Sequence, residues 1–263
     1  MALASMSEIF ERMARNGQEF WEVVLADDMD ERQVSREASM AKMLTTWQAM
    51  QDAADSYTGR KRSVSGLVGG DGMKMRQYTF RGCAMTGGYV SEVIAEALSM
   101  AESNACMRRI VAAPTAGACG VLPAVLLPLC KYEELTQHQL LEALYVAAGI
   151  GSIIAYKASI AGASGGCQAE IGTASAMAAG ALVALRGGEG EQIGHAVAMA
   201  LKNLMGLVCD PVAGLVEVPC VKRNVIGAVN AVSAANMAVA GITSRIPVDE
   251  VIDAMGEVGA ALP

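Results

Sequence analysis

A chain of 263 residues can bury a large core, as one domain or as two small ones. Hydrophobic residues make up 53% of it and aromatics only 4%, so the apolar content is Ala, Val, Leu, Ile and Met, which suits closely packed helices better than sheets. The net charge of −7 argues against a nucleic-acid partner, and seven cysteines in a chain that starts without a secretion signal point to a reducing cytoplasm.

Residues 1–62 hold 19 of the 47 Asp, Glu, Lys and Arg side chains. Met1 is followed by Ala2-Leu3-Ala4-Ser5, with no basic start or long apolar run. Ser7 can cap a first amphipathic helix with Ile9, Phe10, Met13 and Ala14 on one face. A second runs from about Asp30, with Val34, Ala38, Ala41, Met43 and Leu44 as its apolar positions. This charged segment is expected to be structural or a partner surface. Tyr57 to Lys74 reads as a loop. Its glycines invite a phosphate-binding reading, but neither the Gly-Lys-Ser/Thr ending nor a G-x-G-x-x-G is present. The triplet Arg60-Lys61-Arg62 reads as solvated.

From Tyr89 onward the pattern is mostly helical, with helices expected over 89–105, 119–130, 137–156, 168–186, 191–206, 224–242 and 248–257. Arg186-Gly187-Gly188-Glu189-Gly190 breaks two of these, Thr136-Gln137-His138-Gln139 starts one, and Pro247 with Asp249 and Glu250 starts another. The fold class is therefore all-α: a helical domain over 63–263 with buried Ala- and Gly-rich central helices, continuous with the helical segment 1–62. Ile110 to Cys130 and Asn224 to Ser244 each lack Asp, Glu, Lys and Arg over 21 residues, a length that could span a bilayer. The first carries Pro114, Pro123 and Pro128, the second is mostly small residues, and no aromatic belt flanks either. Both read as buried helices, without a membrane partner.

Three cysteines sit among small, turn-forming residues: Cys167 in Gly162-Ala163-Ser164-Gly165-Gly166-Cys167-Gln168, and Cys209 and Cys220 at the two ends of Cys209-Asp210-Pro211-Val212-Ala213-Gly214-Leu215-Val216-Glu217-Val218-Pro219-Cys220. Glycine admits a bulky group close to the backbone and proline stiffens a loop, so thiolates placed in this way suit a soft metal centre. The plainer reading is buried free thiols, and there is no C-x-x-C pair.

The surrounding residues extend the pattern. Ala112-Ala113-Pro114-Thr115-Ala116-Gly117-Ala118-Cys119-Gly120, the stretch Ser164 to Glu170, and the run from Gly206 to Asn224 resemble motifs of the iron–sulfur L-serine dehydratases. The separations of 42 and 11 residues between Cys167, Cys209 and Cys220 are similar to those of that family's cluster cysteines. The resemblance covers the chain from about Ser65 to its end and is to the α chain of the two-chain bacterial form, whose β chain is a separate polypeptide. It implies a [4Fe–4S] cluster held by Cys167, Cys209 and Cys220, with a fourth iron open to substrate as a Lewis acid. L-serine would lose its α-proton and hydroxyl to give aminoacrylate, which becomes pyruvate and ammonia. Pyridoxal phosphate would not be needed, and no Schiff-base motif surrounds Lys157 or Lys202. The same scaffold turned to another small hydroxy acid is one alternative, and a metal-free helical subunit that only binds a partner is another. The isolated chain is expected to join the β chain in a hetero-oligomer or to self-associate.

The resemblance also assigns roles around the cluster. Thr115 and Gly117, at a loop opening a helix, would cradle the substrate carboxylate or a cluster sulfide, with Ser65 and Ser164 as further contacts. Read without it, the same turn would be helix packing. Ser65-Gly66-Leu67 and Gly69-Gly70-Asp71 would lie near the active site, and Arg223 and Asn224 would orient cluster or substrate. Cys119 would be non-ligating, and Cys83, Cys106 and Cys130 would be core or surface thiols. Lys202 and His195, seven residues apart on one face of the helix leading to Cys209, are the candidates for proton transfer; the other readings are a solvated face or a base from the β chain. His138 reads as structural. The ending Ala260-Ala261-Leu262-Pro263 carries no cysteine of the kind single-chain relatives place on the fourth iron, and it looks earlier than the family's usual end, as a truncated chain or one with a further tail would.

Overall fold

The innermost element is a stretch without a single charged side chain, Thr-Ala-Ser-Ala-Met-Ala-Ala-Gly-Ala-Leu-Val-Ala-Leu, which forms helix α9 (Thr173–Leu185). Its small side chains let four neighbours approach closely: α6 (Val121–Tyr132), α7 (Gln137–Lys157), α10 (Gly190–Leu204) and α11 (Cys220–Val239) all pack on it. In this computed structural model, which describes residues 3–262, the remaining helices form a shell around that group. They are α1 (Met6–Asn16), α2 (Phe20–Arg32), α3 (Arg36–Asp55), α4 (Asp71–Phe80), α5 (Gly87–Ala105), the short α8 (Gly162–Cys167) and α12 (Val248–Ala261). No strand occurs among the described residues, and the class is all-α. The readings of the chain's start at Met1-Ala2 and of its ending at Pro263 fall in part outside those residues.

Ile150, Ile153 and Ile154 of α7 are fully buried, each contributing about 1.5–3 kcal/mol by leaving water. Buried polar groups tie the central helices together. Ser175 of α9 donates to the Gly227 carbonyl at 2.8 Å, and Asn230 donates to Ser175 Oγ and to the Ala200 carbonyl, both at 2.9 Å, so one network joins α9, α10 and α11.

Several element boundaries differ from the pattern, each for an identifiable reason. The first helix is capped by Ser5, whose extended backbone lets its hydroxyl accept from Glu8 N at 3.1 Å; Ser7 lies inside the first turn and donates to Asp249 at 2.6 Å. The helix expected from Asp30 is divided, because Gln33 takes a left-handed conformation (φ 53°) and Ser35 caps a new helix, α3. Helix α4 begins inside the segment read as loop. The carboxylate of buried Glu102 accepts from the amides of Gly70 at 3.0 Å, Asp71 at 2.7 Å and Gly72 at 3.4 Å, so a distant side chain caps this helix. Residues 168–172 form a π-helical turn ahead of α9, and α11 starts at Cys220.

Ile110–Cys130 is irregular up to Gly120, and α11 ends at Val239 before a turn at Gly241, so neither charge-free stretch is one continuous helix. Helix α7 is long and apolar enough to cross a membrane by length and composition, with mean hydropathy 1.4, yet 67% of its apolar window is buried inside the fold.

Candidate active site

Four segments meet at one end of α9 and α11, and short polar ties hold them. Cys167 closes α8, where Gly166 adopts φ 75°; a side chain there would stand 2.7 Å from the Leu207 carbonyl, so glycine is what permits the Cys167 and Cys209 segments to touch. Buried Gln168 completes that joint. Its amide donates to the Leu207 carbonyl at 3.0 Å, its Oε1 accepts from Gly206 N at 2.7 Å, and its Nε2 donates to the Met255 carbonyl of α12 at 3.0 Å. Cys220 is the first residue of α11, one turn before buried Asn224. Asn224 Nδ2 donates to the carbonyls of Gly117 at 2.8 Å and Cys220 at 3.1 Å, and its Oδ1 accepts from Gly120 N at 2.9 Å. The Thr115–Gly120 loop is thereby fastened to the Cys220 end of α11.

Arg223 spans two cysteine segments. Its Nη1 donates to Cys167 Sγ and to the Val208 carbonyl, each at 3.1 Å, and pairs with Asp210 at 2.5 Å. Burial pushes the Cys167 thiol up to about 11 against the pull of Arg223, and charge on Cys209 and Cys220 pushes in the same upward direction. Burial also raises Cys220, followed by the nearby Glu170 carboxylate and Cys209. The bonds of Gln168 and Arg223 bring the segments that carry Cys167 and Cys209 together, and a bound metal's charge there would favour the thiolates.

Among the described residues no three His, Cys, Asp or Glu side chains converge as a single ion would require. A polynuclear iron–sulfur group takes its thiolates on different irons, so its ligands stand apart. Three soft thiols on separate glycine- and proline-bearing segments, with a guanidinium donating to one sulfur, fit such a group in the chemistry of their donors.

The other expected residues divide. Thr115 Oγ1 donates to Glu170 Oε1, and buried Gly117 lies against the same carboxylate. Ser65 Oγ donates to Glu217 Oε2, which also accepts from Ser63 Oγ at 2.7 Å. Ser164 is exposed and turned toward Ser159 Oγ at 2.9 Å within its own turn. Lys202 is exposed, with its amine 3.7 Å from the Met205 sulfur, and His195 is half-buried further up the same helix. None of the hydrogen bonds among the described residues joins Lys202 or His195 to the cysteine segments. His138 pairs with Glu142 at 3.3 Å and packs edge-on against Trp21. Cys119 is wholly buried, its thiol 3.7 Å from the Met100 carbonyl.

Glu170 and Glu217 were not singled out from the sequence. Both carried a signal: each is the only charged side chain in an otherwise small or apolar stretch next to a cysteine, Ser164 to Glu170 and Pro211 to Cys220.

The "Serine dehydratase alpha chain" family model matches residues 15–263. The chain is 46% identical over 242 residues to "Probable L-serine dehydratase, alpha chain" of Bacillus subtilis (strain 168), covering 92% of this chain and 81% of that one. It is 37% identical over 261 residues to "L-serine dehydratase, alpha chain" of Peptoniphilus asaccharolyticus, covering 99% and 89%. It is 46% identical over 165 residues to "L-serine dehydratase TdcG" of Escherichia coli (strain K12), covering 62% of this chain and 36% of that longer protein.

Proposed function

The chain belongs to the serine dehydratase alpha chain family, and we propose that it is the catalytic α chain of an iron–sulfur L-serine dehydratase, converting L-serine to pyruvate and ammonia together with a separate β chain. The observation that carries this reading is the joining of the segments that bear Cys167, Cys209 and Cys220 by Gln168, Asn224 and Arg223 beside the Thr115–Gly120 loop. Bound through those three cysteines, a [4Fe–4S] cluster would supply an iron with a free position, a Lewis acid for the poor leaving hydroxyl of serine.

The chain's own residues do the rest. The backbone of Thr115 and Gly117, in the loop that opens α6, receives the substrate carboxylate, while the Thr115 hydroxyl stays on Glu170. Ser65 and Ser164 remain candidate contacts at the rim. Lys202 and His195, on the helix that leads into Cys209, are the chain's candidates for moving the α-proton; a group from the β chain is the other source. Water leaves across Cα–Cβ, and the resulting aminoacrylate takes up water to yield pyruvate and ammonia. Exposed Val64, Leu67, Val212, Leu215 and Val216 on the loops around the cysteines support a covering β chain. The free thiols suit a reducing cytoplasm, where we place the enzyme.

The test is anaerobic purification, iron and sulfide analysis, and a pyruvate assay with L-serine, with and without the β chain. Iron, sulfide and pyruvate formation that rises on adding the β chain are expected. A protein free of iron and sulfide after anaerobic preparation and reconstitution, or one that forms no pyruvate with the β chain present, overturns the reading.

A further inference from the structure

Glu170 lies three residues beyond Cys167, in the π-helical turn Gln168–Gly172. Such a turn inserts one residue into a helix and re-aims its side chains. Here the half-buried carboxylate is carried back across the site. It accepts from Thr115 Oγ1. It rests against two glycine backbones: a Cβ on Gly117 would stand 2.6 Å from Oε1 and 2.8 Å from Oε2, and one on Gly162 would stand 3.1 Å from Oε2. It is also close enough to Cys220 to influence that thiol.

The cations of the adjoining turn are engaged elsewhere, Lys222 with Asp71 at 3.0 Å and Arg223 with Asp210 at 2.5 Å. Among the described residues, the Thr115 hydroxyl is the side-chain donor to Glu170 and no ion pair is formed with it. A partly desolvated carboxylate beside thiols that must become thiolates has like charge around it and gains most from an incoming cation. An amino acid brings one, on the carbon next to its carboxylate.

We propose that Glu170 binds the α-ammonium of the substrate, through a charge-assisted hydrogen bond, and so selects a 2-amino acid over a hydroxy acid lacking nitrogen. Thr115 fixes the carboxylate in place through its hydroxyl, and the backbones of Gly117 and Gly162, which lack a side chain, pack directly against it. This rests on the L-serine reading above and adds the residue that makes the site specific for an amino acid.

The test uses the anaerobically prepared enzyme with its β chain. In Glu170→Gln, iron, sulfide and visible absorbance should match the parent enzyme. KM for L-serine should rise about tenfold to a hundredfold with kcat changed by less than about threefold, as loss of one charged contact predicts. Inhibition by 3-hydroxypropanoate, which is serine without its amino group, should be unchanged or stronger. Glu170→Asp, which keeps the charge but draws it back, should fall between the two; if Glu170→Gln does not load iron, the KM of Glu170→Asp decides. An unchanged KM in both variants overturns the inference, and so does a collapse of kcat at constant KM, which would make Glu170 a proton-transfer group. Absence of serine turnover in the parent enzyme is a separate result that removes the serine reading itself.

Discussion

Arg223 donates to the sulfur of Cys167 at 3.1 Å while pairing with Asp210 at 2.5 Å, so one guanidinium ties the first cysteine to the residue after the second. A donor aimed at a ligating sulfur stabilises thiolate charge, and its removal from beside a metal site typically costs about 10–100-fold in metal affinity. Arg223→Ala should therefore lose iron about tenfold or more faster during aeration. Arg223→Lys should fall short of the parent as well, because the lysine ammonium ends one bond short of the Nη1 that meets Cys167, Val208 and Asp210. Iron retained per chain against time in air is the measurement, and identical decay in all three proteins would deny Arg223 this role.

Each of Cys167→Ser, Cys209→Ser and Cys220→Ser should lose most of its iron and sulfide when prepared anaerobically, since a hydroxyl is a poor substitute for a soft thiolate. Cys83→Ser and Cys130→Ser should load normally; the first thiol is exposed and the second bonds the Leu126 carbonyl at 3.2 Å inside its own helix. Full iron content in Cys209→Ser would remove that residue from the ligand set.

Buried Glu217 holds the hydroxyls of Ser63 and Ser65, joining the loop after residue 60 to the loop between Cys209 and Cys220. Glu217→Ala should cost about 1–3 kcal/mol in urea unfolding, the usual penalty for stranding buried partners. Ser65→Ala combined with it should cost less than the two changes added, with a coupling of about 0.5 kcal/mol or more. Hydrogen exchange should quicken at Val68, whose amide is held by Ser63 Oγ at 3.2 Å. Strict additivity with unaltered exchange would show the two loops to be independent.

Burial pushes the Cys119 thiol from an ordinary value of 9.0 up to about 12. The folded chain therefore keeps this proton where the unfolded chain has lost it. The contribution is fully present below the ordinary value and is lost as pH rises from about 9 toward 12, at up to about 1.4 kcal/mol per pH unit for one group. Unfolding free energy should fall less steeply with pH in Cys119→Ala than in the parent across the alkaline range. In native protein at about pH 8, a small alkylating reagent should label exposed Cys83 and spare Cys119. Parallel pH curves, or rapid labelling of Cys119, would contradict its burial as a neutral thiol.

The helical class was legible in the sequence because it rests on local terms: Ala, Leu and Met runs, the Thr136–Gln139 capping box, the Gly187-Gly188 break and Pro247 before α12. The cysteine segments were legible in part: the prolines and glycines between Cys209 and Cys220 mark a mostly irregular stretch, whereas the glycine-rich residues 162–167 form the short helix α8. The misplaced boundaries are those set from far away. Helix α4 starts at Asp71 because Glu102, 31 residues on, accepts its first amides. The break at Gln33 comes from the left-handed conformation of a residue other than glycine.

The sequence by itself determined that this chain builds buried helices from small residues and sets three thiols among small, turn-forming neighbours, since both follow from side-chain size and backbone freedom along a few neighbouring positions. Only the tertiary structure decided which polar groups face one another: Glu170 against Thr115, 55 residues apart, Arg223 on Cys167 at a separation of 56, and Glu217 on Ser65 at 152. Helical periodicity states which face of a helix avoids water, whereas the partner of a lone carboxylate or guanidinium is set by how the helices cross, and that geometry arises from the packing of the whole core.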